Sequence, residues 1–138
     1  MEITITKTNE QYGFTASNGK VDIPIIASPE LSGTSNGTRP MELVLSALGG
    51  CLSIDILLIL EKQRIVVDFY NVKVSATRKD NIPSVFDEIL IEIHITADIP
   101  ENKLDRAIQL AIEKYCSVYQ ILQHSANINY KYFLNNDK

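Results

Sequence analysis

Arg39-Pro40-Met41-Glu42-Leu43-Val44-Leu45-Ser46-Ala47-Leu48-Gly49-Gly50-Cys51-Leu52-Ser53-Ile54-Asp55-Ile56-Leu57-Leu58-Ile59-Leu60 is the stretch that decides the fold. Thr38 before it is an N-cap residue type, Pro40 suits a first helical turn, and Glu42 suits the positive end of a helix dipole. The spacing predicts a helix to about Arg64, closing on Glu61, Lys62 and Arg64. Its apolar residues surround the axis, and a helix apolar all round must be covered all round. A chain of 138 residues with short strands has little else to cover it. A partner subunit is therefore expected against this helix, most simply in a symmetric homodimer. The apolar run Leu43 to Leu60 is near the lower length limit for a membrane span. Asp55 near its middle would cost roughly 2.5 to 3.5 kcal/mol there, so the expectation is a buried helix of a soluble protein.

The flanking sequence alternates. Ile3 and Ile5 among Glu2, Thr4 and Thr6 predict a half-buried strand. Asn18-Gly19 between Tyr12–Ala16 and Val21–Ala27 predicts a hairpin, because both residues tolerate positive φ. Ser28 to Thr38 is rich in Ser, Thr and Gly and reads as a loop. Val72, Val74 and Ala76, then Ile89, Ile91, Ile93 and Ile95, predict two half-buried strands paired antiparallel. Asp98, Pro100 and Glu101 resemble a capping box. Leu104, Ala107, Ile108, Ala111, Ile112, Tyr115, Tyr119 and Leu122 mark one face of a second, amphipathic helix. Ile128, Tyr130 and Tyr132 predict a last strand, and the order of elements is that of an α+β fold.

Composition excludes several classes of function. Thirteen basic against 17 acidic residues give a net charge of -4, which disfavours nucleic acid and anionic membrane surfaces as partners. The N-terminal residues carry no signal-peptide pattern, so a cytoplasmic location with reduced thiols is expected. The chain lacks a phosphate-binding glycine–lysine loop, a dinucleotide fingerprint and a serine elbow. His94 and His124 have no ligand-type neighbours at metal spacing. The two cysteines, 65 positions apart, match no zinc pattern, so neither a metal nor a cofactor is expected.

The cysteines remain. Cys51 follows Gly49-Gly50, and each glycine costs about 0.8 to 1.0 kcal/mol relative to alanine inside a helix. The pair suggests that something must approach the helix closely there. Cys116 lies 12 positions after Leu104, roughly 120° around a regular helix, at the edge of the apolar face where it would border a groove. An unpaired cysteine is also often just a small buried hydrophobe, and on the residues alone both readings stand. A reactive thiol needs a cation or a helix N-terminus. Cys51 is far along its helix, and Asp55, one turn on, is an anion. Arg39 is the candidate cation, with Glu42 at i+3 to orient it; a capped, charged helix start explains the same two residues.

Arg39-Pro40-Met41-Glu42-Leu43, Leu48-Gly49-Gly50-Cys51 and Glu113-Lys114-Tyr115-Cys116-Ser117-Val118 resemble the OsmC/Ohr superfamily of osmotically inducible and organic hydroperoxide resistance proteins, and most closely its OsmC-like branch. The resemblance covers essentially the whole chain, residues 1–138, as one domain. It implies antiparallel strands packed around two central cysteine-bearing helices in an intertwined homodimer, with two active sites at the interface. It also implies a peroxiredoxin-type activity, thiol-dependent reduction of organic hydroperoxides under oxidative stress, with Cys51 as the peroxidatic and Cys116 as the resolving cysteine. An external dithiol, lipoyl-type in the family, would reduce the resulting disulfide. The family's reductases carry a glutamate ten residues before the reactive cysteine, where this chain has Met41; Glu42 matches the adjacent position. Their arginine comes from an upstream region that here offers Lys20, and Arg39 is the first arginine of the chain. The resemblance therefore carries the two activating roles onto Arg39 and Glu42 only from shifted positions. The alternative is a dimeric protein of the same fold that binds a small lipid-like or thiol-bearing ligand, or senses redox state, without turnover.

Overall fold

The structure, a computed structural model, describes residues 1–136 and divides into two compact units, Met1–Val44 and Leu45 onward. The N-terminal unit is built on the meander β1 (Thr4–Lys7), β2 (Gly13–Ser17) and β3 (Asp22–Ile26), all antiparallel. The Asn18-Gly19 hairpin forms as expected. Gly19 takes a φ of +87°, and Oδ1 of Asn18 accepts the N–H groups of Lys20 and Val21, both at 2.9 Å. The half-buried β1 expected from Ile3 and Ile5 is overturned: both stay more than half exposed, and all four residues of the strand are exposed. The loop after β3 also differs from expectation. It holds a single helical turn, α1 (Pro29–Ser32), closed by Gly33, whose N–H returns to the Pro29 carbonyl.

The apolar stretch forms α2 (Pro40–Lys62). Its cap falls on Arg39 and not on Thr38, because Thr38 is held in a parallel bridge to Ile25. The Arg39 carbonyl accepts the first helical bond, from Leu43, and Glu42 reaches back to the Arg39 N–H at 2.9 Å, which is half of a capping box. The helix ends two residues before Arg64. Arg64 turns left-handed (φ 60°) while Ile65 N–H bonds Leu60 O and Arg64 N–H bonds Glu61 O, a Schellman closure without glycine.

In the C-terminal unit β4 (Val67–Arg78) and β5 (Phe86–Ala97) pair antiparallel, and β6 (Asn127–Leu134) lies parallel to β5. That parallel pair departs from the antiparallel expectation. It is possible because the helical segment between β5 and β6 is long enough for the crossover that parallel pairing requires. Ile89, Ile91, Ile93 and Ile95 are fully buried, opposite Ala76, Val74, Val72 and Tyr70 of β4. On the other face Glu92 pairs with Lys131 at 2.9 Å and Lys73 at 3.9 Å.

Only one stripe of α2 joins the core of this unit: Leu48, Leu52, Ile56 and Leu60 are fully buried, at i, i+4 spacing. Burial of a leucine or isoleucine contributes about 1.5–3 kcal/mol each. Gly49 lies in the same stripe because a Cβ there would stand 3.0 Å from Cγ2 of Val74, the close approach expected of one of the paired glycines. Gly50 meets nothing within 4 Å. The opposite stripe, with Ala47, Gly50, Ile54 and Leu58, is exposed, so the described residues do not supply the covering expected all round.

The second helix is not continuous. α3 (Glu101–Leu110) opens on Pro100 in extended conformation without a side-chain cap, so the Asp98–Glu101 capping box does not form. A π-helical turn, Ala111–Tyr115, follows, then a break at Cys116 and a short α4 (Ser117–Leu122). Leu104, Ala107, Ile108 and Ala111 hold the buried face, as the spacing predicts.

Candidate functional site

The break in the second helix decides where its cysteine goes. The Cys116 N–H bonds the Ala111 carbonyl, five residues back, at 2.8 Å. This wider turn delays the return to the buried face by one residue. Tyr115, expected inside, is 45% exposed, and Cys116 takes the inner position with no exposed surface. The expected groove-edge placement of Cys116 is therefore corrected: it assumed 100° per residue through a segment where the helix widens. Cys116 then turns extended (φ -71°, ψ 100°), and its Sγ accepts the Tyr119 N–H at 3.5 Å as the cap of α4.

Cys51 projects from α2 and is partly exposed. Its thiol points toward Oδ2 of Asp55, one turn along, at 4.0 Å. The Sγ atoms of Cys51 and Cys116 and the carboxylate of Asp55 all lie within 4.8 Å of one another. Two cysteines 65 positions apart thus meet, as free thiols, across the two helical segments. The Cys116 thiol is pushed up to about 11, chiefly by burial, which the Tyr119 N–H opposes and the neighbouring Cys51 and Asp55 reinforce. At neutral pH it holds its proton.

Asp55 is the site residue that sequence reasoning left out. The signal is the i, i+4 spacing of Cys51 and Asp55, which puts both on one helix face. Together with the two thiols it forms the group whose donor atoms lie close enough to hold a metal ion, among the described residues.

Arg39 and Glu42 meet in the N-terminal unit as expected. The guanidinium reaches Glu42 Oε1 through Nη2 at 2.7 Å and Nε at 3.1 Å. Hydrogen bonding to Glu42 raises the Arg39 pKa, and the same bonds lower that of Glu42. The pair borders an open cavity of about 430 Å³ that Ile26, Pro29 and Glu30 also line. His94 stacks on Phe133 with ring centroids 4.6 Å apart, a packing role.

Residues 33–131 match the family model of the OsmC-like proteins, which spans both cysteine motifs and most of the chain. The chain belongs to the OsmC-like protein family. Protein YhfA of Escherichia coli K12 is 39% identical over 94 residues, covering 67% of this chain and 70% of the relative. A hypothetical protein from Aquifex aeolicus superposes with a TM-score of 0.85 at 25% identity, over 99% of this chain and 97% of its own. The organic hydroperoxide resistance protein OhrB of Bacillus subtilis superposes with a TM-score of 0.68 at 16% identity, over 96% and 98% of the two chains, a likeness of fold. The α+β architecture of this OsmC-like chain is thus that of the OsmC/Ohr proteins.

Proposed function

We propose that this OsmC-like protein is a thiol peroxidase that reduces organic hydroperoxides through Cys51 and Cys116. The observation that carries the reading is the approach of a partly exposed and a fully buried thiol to within 4.8 Å. The exposed thiol is the one a hydroperoxide reaches, and the buried one, protonated at neutral pH, does not compete for it. The Cys51 thiolate attacks the terminal peroxide oxygen, the O–O bond breaks, an alcohol leaves, and Cys51 becomes a sulfenic acid. Cys116 then attacks the Cys51 sulfur, and hydroxide leaves with the Cys116 proton as water, giving the disulfide. An external dithiol, of lipoyl type by resemblance, returns both thiols in the reducing cytoplasm. The roles of thiolate-stabilising cation and its partner fall by resemblance to Arg39 and Glu42, whose carboxylate accepts two hydrogen bonds from the guanidinium.

The working form in this reading is a homodimer. The exposed apolar stripe of α2, with Ile54 and Leu58 62% and 47% exposed, is the surface a second copy would cover.

The test is intact mass and thiol mapping after one equivalent of an organic hydroperoxide. A loss of two hydrogens mapped to Cys51 joined to Cys116 is expected. Cys51→Ser abolishes turnover, whereas Cys116→Ser stalls after one. Free thiols alongside persisting hydroperoxide, or full turnover by Cys51→Ser, would overturn the reading.

A further inference from the structure

A disulfide needs two sulfurs, yet the site holds three donor atoms. The Asp55 carboxylate lies within 4.8 Å of both sulfurs, where an anion opposes the thiolate on which peroxide chemistry depends. A cation among the three atoms removes that conflict. We propose that Cys51, Asp55 and Cys116 of the reduced chain bind a single divalent cation of the zinc type. This goes beyond the peroxidase reading and uses the same side chains in a state in which neither sulfur is oxidised.

The donor chemistry selects the ion. Two thiolates and one carboxylate suit a borderline-soft, tetrahedral cation, whereas calcium and magnesium demand oxygen donors. Sulfurs bound tetrahedrally at about 2.3 Å stand about 3.8 Å apart. The two sulfurs, within 4.8 Å of each other, therefore need to close by no more than about 1 Å.

The scaffold suits the purpose as well. Cys51 and Asp55 are four residues apart on α2, so one rigid helix supplies two donors on the same face. Cys116 is held from the far side by its place at the helix break and by the Tyr119 N–H. Cys51 and Asp55 are partly exposed in the single chain, so an ion can approach their donor atoms from outside. Binding releases the two thiol protons: the cation, two thiols and one carboxylate give one complex and two protons, with no change of oxidation state.

The experiment uses the full-length, fully reduced chain under anaerobic conditions. Zinc ion alone is titrated against a chromophoric chelator, and cobalt(II) serves as the spectroscopic probe. One equivalent per chain is expected, with a thiolate-to-cobalt charge-transfer band. Changes outside the ligand set alone cost about 10–100-fold in metal affinity, so Asp55→Asn should weaken zinc at least tenfold and Cys51→Ser by more. Both exposed-side variants are checked for wild-type circular dichroism without metal, so a loss of binding is not a loss of fold. Absence of stoichiometric binding, cobalt uptake without the sulfur band, or unchanged affinity in Asp55→Asn overturns the proposal. Disulfide formation by hydroperoxide in the metal-free chain, with no zinc binding, would sink this inference alone. Zinc binding with thiols inert to hydroperoxide would sink the peroxidase reading alone.

Discussion

The Tyr119 amide donates to the Sγ of Cys116 at 3.5 Å, so the buried cysteine doubles as the cap of the helix that follows it. The thiol is thereby fixed in place but not ionised: burial outweighs the single N–H and holds it near 11, above its ordinary value of 9.0.

The alkaline behaviour follows from that difference. A thiol raised in the folded state binds its proton more tightly there than in the unfolded chain. Its stabilising contribution is whole below pH 9 and is lost as pH rises through about 11. Denaturant midpoints of wild type minus Cys116→Ala should therefore be flat below pH 9 and fall between pH 9 and 11. Iodoacetamide at pH 8 should label Cys51 and leave Cys116 unmodified in the native chain. Equal labelling of both would contradict the burial described.

The two adjacent glycines should respond oppositely to alanine. At Gly49 the new methyl would stand 3.0 Å from Val74 Cγ2, in the packed layer between α2 and β4. Overpacking of this kind costs about 1–3 kcal/mol, more than the helix gains. Gly50→Ala meets nothing within 4 Å and should raise the stability of the single chain by up to about 1 kcal/mol. Urea unfolding of the two variants side by side checks the pair; destabilisation of similar size at both positions would refute the contrast.

Ile54→Glu tests the uncovered face of α2. The side chain is 62% exposed, so in an isolated subunit the change should alter stability by no more than about 0.5 kcal/mol. Light scattering behind a sizing column should show wild type as a dimer and the variant shifted to monomer. A monomeric wild type would remove the homodimer from the proposal.

Arg39→Ala and Glu42→Gln separate the roles of the ion pair. Both side chains are about half exposed, so the thermal midpoint should move little. If the guanidinium stabilises the reacting thiolate, the rate of Cys51 oxidation by hydroperoxide should fall at least about tenfold in Arg39→Ala and less in Glu42→Gln, which keeps a hydrogen-bond acceptor. Oxidation at the wild-type rate in Arg39→Ala would return the pair to a helix-start role.

Local spacing made much of this molecule legible. The run from Pro40 announced α2, Asn18-Gly19 the hairpin, the alternating isoleucines β5, and the i, i+3 spacing the Arg39–Glu42 pair. Gly49 announced a close approach without naming Val74. Each of these depends on atoms a few residues apart, whose geometry the helical or strand period dictates. The cap on Arg39 was misplaced by one residue because Thr38 is claimed by Ile25, a partner 13 positions away.

Tertiary structure decided the site. A periodic reading carries 100° per residue through Ala111–Tyr115 and cannot detect a turn widened to admit Cys116 and expel Tyr115. Nor does any local rule bring Cys116 to Cys51, or reveal that Asp55 stands against both. The sequence by itself determined where the long helix and the main strands lie and which faces are apolar in α2, β5 and α3, because those properties repeat with the backbone. Which two thiols meet, and which carboxylate joins them, was decided only when the segments packed, because contacts across 65 residues are set by how side chains fill shared space and not by their spacing along the chain.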